Sequence, residues 1–197
     1  MNAAARVPKA SLTGLQGRLL KMVARRKLGR VPESLEVMWN HPAVLKDMAR
    51  LGGRTEKWDR LEENLGAFAV MATAAQIGCG FCLDLNYFAA HTRGLDVAKA
   101  REVSRWRDST LFTPLERRVM EYAEAVSTTA PAVTDELSAA LLEELGADGL
   151  IELTARIGYM NLAARSNVAL GISSEHFADS CGLAPMEVPP VEEASRA

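Results

Sequence analysis

Two cysteines, Cys79 and Cys82, stand three residues apart in the stretch IGCGFCLDLNYFAAHTRG, residues 77–94. Gly78 is predicted to end one helix, so that Cys79 lies in the first turn of the next, where backbone N–H groups lack partners and the helix dipole is positive. Such an environment stabilises a thiolate and lowers its pKa. Because the spacing puts both sulfurs on one helix face, the pair can close into a disulfide and reopen.

A Cys-x-x-Cys pair also fits half of a zinc site or two small core residues. A structural zinc ion needs four ligands, but the sequence has no second cysteine pair and its histidines, His41, His91 and His176, are scattered. Two buried thiols would simply pack as small hydrophobes. We favour the redox interpretation, with no metal and no cofactor, and both alternatives stay open at this point.

The composition predicts one soluble domain. The chain has 197 residues, is 48% hydrophobic and carries a net charge of −2, which gives no electrostatic reason to expect nucleic-acid binding. No run of residues approaches the ~18 apolar positions of a membrane-spanning helix, so we expect no membrane and a cytoplasmic location. The third cysteine, Cys181, leaves an odd number and is expected to be a free surface thiol.

Charge divides the chain unevenly. Residues 1–30 hold eight Lys or Arg and no acid, which leaves 15 basic against 25 acidic residues in the remainder. We predict a basic N-terminal arm or helix over 1–30, a single domain over 31–180 and a flexible tail over 181–197. The arm is expected to dock on the acidic remainder or on a neighbouring subunit.

Helical punctuation recurs along the chain and predicts an all-α fold of about seven or eight helices. In the first half, Ser34 is expected to cap a helix that runs to about Leu51 and ends at Gly52 and Gly53. Thr55 is then expected to cap the next helix.

The second half carries clearer signals. Thr113-Pro114-Leu115-Glu116 has the pattern of a capping box, with Pro at the first helical position. Thr134 is predicted to begin a helix that Gly146 ends. A last long helix is predicted from Asp148 to about Leu170.

The cysteine motif resembles the core motif of the alkylhydroperoxidase AhpD and carboxymuconolactone decarboxylase superfamily. Further blocks follow in the family's order, among them LERRVMEYAEA at 115–125 and NLAARSNVALG at 161–171, and the resemblance covers about residues 35 to 172. It implies an all-α subunit that forms homo-oligomers, as dimers, trimers or hexamers. It also implies that Cys82 is the cysteine that a hydroperoxide oxidises, that Cys79 resolves the sulfenic acid to a disulfide, and that a dithiol reductant protein reopens it.

The family's proton relay is not matched. Its His, four residues after the second cysteine, falls on Asn86, and its Glu, twelve residues before the first, falls on Ala67. Asn86 can donate a hydrogen bond to a thiolate but cannot take a proton near neutrality. Glu63 lies one turn before Ala67, roughly 6 Å along the helix, and is the candidate substitute. His91 is expected to face away from Cys82.

Three functions follow from these residues. The first is a thiol-dependent oxidoreductase, of the peroxidase or peroxiredoxin type, that acts on a hydroperoxide or another small electrophile. The second is a non-catalytic binding or assembly member of the fold. The third is a lyase like carboxymuconolactone decarboxylase, which would rely on the His that Asn86 replaces. We favour the first.

Overall fold

The computed structural model describes residues 5–183, apart from the side chains of 180 and 181. Eight α-helices and two short 3-10 turns, at Val103–Arg105 and Ala178–Cys181, make up its regular structure, and residues 5–183 contain no strand. The prediction of an all-α fold is therefore confirmed. The helices are α1 Gly14–Leu28, α2 Glu33–Met38, α3 Pro42–Thr55, α4 Glu63–Ile77, α5 Gly80–Thr92, α6 Val97–Glu102, α7 Pro114–Ser127 and α8 Asp135–Leu170.

Helix α4 lies at the centre of the core. It packs against α5, α7 and α8, and its residues from Phe68 to Ala74 are almost all buried. A helix that is apolar on all sides is stable only when other helices surround it. Alanines at positions 69, 72 and 74 leave room for these neighbours to approach closely. The cysteine pair follows directly after the end of this helix.

The predicted start of α7 is confirmed. Thr113 accepts the backbone N–H of Glu116 through its hydroxyl, while the Glu116 carboxylate accepts the backbone N–H of Thr113, which completes the capping box. Glu116 also pairs with Lys99 at 2.8 Å, which ties α6 to the start of α7.

Helix α8 has the two parts that the sequence predicts. Thr134 caps its first turn by accepting the backbone N–H of Leu137. Gly146 has a φ of 71° and a ψ of 172°, which interrupts the helical backbone. Only glycine adopts such a conformation without strain, so this residue sets the direction in which the second part leaves.

The predicted single helix from Ser34 to Leu51 is wrong, because the chain breaks between α2 and α3. Pro42 stands at the first helical position of α3, and the Nδ1 atom of His41 accepts the backbone N–H of Val44. The proline has no N–H to continue α2, and the histidine caps a new helix in its place.

The predicted boundaries at 52–55 are also wrong. Helix α3 continues through Gly52 and Gly53 and includes Thr55 as its last residue. The Thr55 hydroxyl donates to the carbonyl of Gly52 inside this helix and does not cap the next. The cap of α4 is Glu62, whose carboxylate accepts the backbone N–H groups of Asn64 and Leu65.

The structure describes most of the predicted N-terminal arm and little of the predicted C-terminal tail. The basic segment forms helix α1, which buries only Gly17 and Ala24 against its own chain. Residues 184–197 of the predicted tail, and the side chain of Cys181, lie outside the described residues. Among helices in the described part, none has the length and apolar character needed to cross a bilayer.

Candidate active site

Cys79 occupies the N-cap position of α5. Gly78, with a φ of 77°, ends α4 in the left-handed conformation, and Cys79 follows with a non-helical backbone at φ −85° and ψ 87°. Its sulfur accepts the backbone N–H of Cys82 at 3.3 Å. A Ser, Thr, Asp or Asn usually fills this position, and here a sulfur takes over the capping contact. The expected placement of Cys79 at a helix start is thus present in the structure.

Cys82 receives a hydrogen bond from a distant part of the chain. The Nδ2 group of Asn167, near the end of α8, donates to the Cys82 sulfur at 3.3 Å. Eighty-five residues separate the two, so no local spacing in the sequence indicates the contact. The sequence signal was weak: a polar residue in the block 161–171, within a helix of otherwise apolar periodicity.

Hydrogen bonding between the two thiols shifts their pKa values in opposite directions. The pKa of Cys79 is lowered, first because the Cys82 thiol donates a hydrogen bond to its sulfur, while burial acts in the opposite direction. The backbone N–H of Cys82 and the amide of Asn167 lower it further. The pKa of Cys82 is raised, because its proton is held by Cys79 and because burial disfavours a second charge. Cys79 is therefore the thiol of the pair that ionises more readily.

Both sulfur-bearing side chains are shielded from solvent within one subunit. Cys79 is 1% exposed and Cys82 is 3% exposed, and both are free thiols. A thiolate without a cationic partner is costly to bury, and here hydrogen bonds from a thiol, a backbone N–H and an amide supply the stabilisation. Any reaction with an electrophile requires the surrounding side chains to open.

Asn86 does not perform the role expected of it. Its Nδ2 group donates to the backbone carbonyl of Cys82 at 2.7 Å, one turn earlier in the same helix. One of its two amide N–H donors is therefore used by the helix backbone, and Asn86 is not among the hydrogen-bond partners of either sulfur. Asn167, and not Asn86, donates to the sulfur of Cys82.

The structure does not bring Glu63 to the cysteines. Its carboxylate pairs with Arg93 at 3.2 Å, and its side chain is 64% exposed. Glu63 begins α4, whereas the cysteines follow the other end of that helix. Ala67 is half-buried on α4, and His91 is exposed near the end of α5. Within residues 5–183, the pair thus has no carboxylate, histidine, lysine or arginine among its hydrogen-bond partners.

Asp84 attaches the C-terminal segment 172–179 to the cysteine helix. Its carboxylate accepts the backbone N–H groups of Phe177 at 2.8 Å and Ala178 at 2.9 Å, and the hydroxyl of Ser174 at 2.9 Å. The Phe177 ring packs edge-on against Phe81, which lies between the two cysteines, with ring centroids 6.1 Å apart. The first turn of α5 is thus fixed on one side by this segment.

No metal site accompanies the pair in the described part of the chain. Within residues 5–183, no three His, Cys, Asp or Glu side chains come together in an arrangement that would hold an ion.

Comparison with known proteins identifies a family that part of the chain resembles. Residues 42–125 match the model of the carboxymuconolactone decarboxylase family. This segment is therefore similar to proteins of that family. The matched residues include α3, α4, the cysteine helix α5 and most of α7. The uncharacterized protein YnjA of Escherichia coli (strain K12) is 42% identical over 97 residues, which are 49% of this chain and 53% of YnjA. The chain therefore spans about half the length of that curated relative.

Solved structures share the AhpD-like fold over most of the chain. A cysteine-to-alanine variant of the debrominase Bmp8, in complex with 2,3,4-tribromopyrrole, superposes with a TM-score of 0.76 at 16% identity, covering 90% of this chain and 97% of Bmp8. An uncharacterized peroxidase-related protein from Ralstonia eutropha JMP134, described as an alkylhydroperoxidase AhpD core, has a TM-score of 0.74 at 18% identity, covering 90% and 96%. At these identities the similarity establishes the fold.

Proposed function

We propose that this AhpD-like protein is a thiol-dependent oxidoreductase that reduces a hydroperoxide, or another small electrophile, through Cys79 and Cys82. The observation that carries the proposal is the proximity of the two thiols at the start of α5, where the Cys79 sulfur accepts the backbone N–H of Cys82 at 3.3 Å. The pKa of Cys79 is lowered, and the Cys82 thiol lies within hydrogen-bond reach of its sulfur. A dithiol with this arrangement is prepared both to attack an electrophile and to close into a disulfide.

The first step is attack on the peroxide. Cys79 accepts the proton of Cys82, so that Cys82 becomes the thiolate, and the amide of Asn167 stabilises it. The Cys82 sulfur attacks the peroxide oxygen, the O–O bond breaks, and the alkoxide leaves as the alcohol after taking a proton. Cys82 is then a sulfenic acid, oxidised by two electrons, and the peroxide is reduced by two.

The second step closes the disulfide. Cys79 is a thiolate again once its proton has passed to the departing alkoxide, and it attacks the sulfenic sulfur. The S–O bond breaks, and the hydroxide takes a proton from solvent and leaves as water. A dithiol reductant protein then exchanges with the Cys79–Cys82 disulfide, which regenerates both thiols and leaves the reductant as a disulfide. In this scheme Cys79 serves as the local base, a role that the family assigns to side chains that this chain lacks.

The absence of the family's relay residues sets the expected rate. A positioned general base typically contributes ~10²–10⁴ in rate. Since thiolates are good nucleophiles without one, we propose a slow peroxidase and not an inactive one.

A non-catalytic member of the fold is the second candidate. The near-complete burial of both sulfurs favours it, because neither is accessible in the single subunit. This candidate predicts that oxidants leave the dithiol unchanged. The two functions are therefore separated by one measurement, namely formation of the disulfide under a small excess of oxidant.

The test is turnover with a panel of electrophiles in the presence of a regenerating dithiol. The panel contains hydrogen peroxide, cumene hydroperoxide and, because a debrominase shares the fold, 2,3,4-tribromopyrrole. We expect hydroperoxide turnover that Cys79→Ser and Cys82→Ser each reduce by about a hundredfold or more, while Cys181→Ser, the matched control, leaves it unchanged.

Trapping of the intermediate assigns the two roles. If Cys82 is the cysteine that the peroxide oxidises, the Cys79→Ser protein accumulates a sulfenic acid that dimedone labels, and the Cys82→Ser protein does not. Labelling in Cys82→Ser alone would reverse the roles. Equal turnover in the wild-type protein and both single variants would overturn the proposed function.

A further inference from the structure

Helix α1 has an apolar face that its own subunit leaves uncovered. Leu15 and Met22 are 85% and 60% exposed, and Leu19 and Val23 are also exposed. At 100° per residue these four side chains fall within one stripe on the helix, roughly opposite the buried Gly17 and Ala24. The helix therefore has two apolar faces, of which one packs on the chain and the other points outward.

Basic side chains surround this outward stripe. Helix α1 contains Arg18, Lys21, Arg25, Arg26 and Lys27 and no acidic residue. Arg26 falls within the stripe and Arg18 beside it at helical spacing. Within residues 5–183, none of these five bases forms an ion pair. The surface thus requires a partner that is partly apolar and acidic.

The first part of α8, residues 135–145, carries a complementary face. Asp135, Glu136 and Glu143 are exposed on one side of the helix together with Leu142, which is 48% exposed, and Ala139. This side is opposed to the buried Leu141. From 135 to 155 the sequence contains no Lys or Arg, so no base interrupts the negative charge.

We propose that α1 of one subunit docks on the 135–145 face of α8 in a second copy of this chain. The apolar stripe of α1 would cover Ala139 and Leu142, while Arg18 and Arg26 face Glu136 and Glu143. Both surfaces are exposed in one subunit, so neither satisfies the other within the same chain. The proposal depends on these two faces and not on the chemistry of the cysteines.

Symmetry makes a small contact sufficient. Each subunit carries one α1 face and one α8 face, so a two-fold pair would form the contact twice, and a closed ring would form it once per neighbour. Stable interfaces bury roughly 800 Å² per partner, which two helix-on-helix contacts approach more readily than one. The surrounding charges fix which helix meets which, because either helix would repel a copy of itself.

A charge exchange tests the docking. Arg18→Glu with Arg26→Glu makes α1 acidic, and Glu136→Lys with Glu143→Lys makes the α8 face basic. We expect the wild-type protein to form an oligomer in sedimentation equilibrium and each double variant to dissociate at least about tenfold more readily. The protein with all four changes should recover the wild-type association, because its charges are again complementary.

Matched controls separate assembly from other effects. Lys46→Glu with Arg54→Glu makes the same charge change at exposed positions of α3 and should leave the wild-type mass unchanged. Circular dichroism establishes that each variant is folded, and thiol titration should give the wild-type pattern in all of them.

Three results would overturn the proposal. The first is a monomeric wild-type protein over the full concentration range. The second is a double variant that keeps the wild-type mass, or a protein with all four changes that stays dissociated. The third is binding of the wild-type protein to phosphatidylserine vesicles that Arg18→Glu with Arg26→Glu abolishes without changing the oligomer mass, because that would make a lipid surface the occupant.

Discussion

Helix α8 contributes to two buried polar clusters that differ in whether their hydrogen-bond partners carry an opposite charge. Near its middle, the carboxylate of Glu152 accepts the guanidinium of Arg156 at 2.9 Å and the backbone N–H of Arg60 at 2.7 Å. Arg156 also donates to the carbonyl of Trp58 at 2.9 Å. Near its end, the neutral amide of Asn167 donates to the Cys82 sulfur at 3.3 Å.

The difference distinguishes a structural cluster from a reactive one. In the Glu152 cluster each charge has an opposite charge and backbone partners, so the ions fix the loop before α4 and have no reason to exchange protons. In the cysteine cluster, the two thiols are hydrogen-bonded to each other, and their other partners are a neutral amide and a backbone N–H. A proton can move between them with little change in position, which is the property that thiol chemistry needs.

The largest expected effect concerns the structural cluster. Glu152→Gln keeps the shape of the side chain but leaves Arg156 buried without its counter-charge. Removal of one partner of a buried pair costs about 3–5 kcal/mol in the free energy of unfolding. Urea denaturation measures the loss, and the pH dependence of thiol alkylation in the folded protein should be unchanged. A loss below about 1 kcal/mol would remove the contrast between the clusters.

The second prediction concerns the hydrogen bond between the two thiols. Cys82→Ala removes the hydrogen bond that is the largest cause of the lowered pKa of Cys79. The pKa of Cys79 should therefore rise, since burial then dominates. Iodoacetamide rates measured against pH report the change: the rise in rate with pH, which tracks the thiolate, moves to higher pH in the variant. A profile that stays in place would show that the two thiols are not coupled.

The third prediction concerns Asn167. Asn167→Leu removes the amide that stabilises negative charge on both sulfurs, so the pKa of Cys79 should rise and peroxide turnover should fall by about tenfold, as expected for one hydrogen bond to a charged group. Asn167→Gln keeps the amide on a side chain that is one methylene longer, and tests whether the amide alone restores the pKa of Cys79 and the turnover. Ser166→Ala, on the same helix turn, is the control and should leave both readouts unchanged.

The smallest effects are expected at the two residues that the sequence suggested. Asn86→Ala removes a contact to a backbone carbonyl, and Glu63→Gln removes an exposed ion pair, which contributes little to stability. Neither change should alter thiol reactivity or turnover by more than about twofold. A tenfold loss in Glu63→Gln would show that this carboxylate reaches the cysteines in a conformation that the structure does not contain.

Local signals account for the parts of the fold that the sequence predicted well. The capping box at Thr113 and the left-handed glycine at position 146 act within one helical turn, so residue types alone determine them. Where the prediction failed, tertiary contacts or unusual caps decided. Gly52 stays helical where the Tyr159 hydroxyl packs against it, at a point where a Cβ would clash, and Glu62 caps α4 although Glu is an uncommon cap.

The sequence predicted only those features of the candidate site whose residues lie close together along the chain. The spacing of Cys79 and Cys82 and the break at Gly78 located the pair, because these features lie on one helix start. The partner of Cys82 was not predictable, since Asn167 reaches it through the packing of α8 on α5. The roles of Asn86 and Glu63 depended on side-chain directions, and a backbone carbonyl and Arg93, respectively, compete for these groups.

The burial of the two sulfurs has a kinetic consequence. An oxidant reacts only with molecules in which the packing around α5 has opened, so the observed second-order rate constant is the intrinsic one multiplied by the open fraction. At high oxidant concentration the rate should therefore reach a plateau set by opening, with the same value for oxidants of different reactivity. Whether an oxidant reacts with the AhpD-like subunit would then depend first on its size and concentration during an opening, and only second on its chemical reactivity.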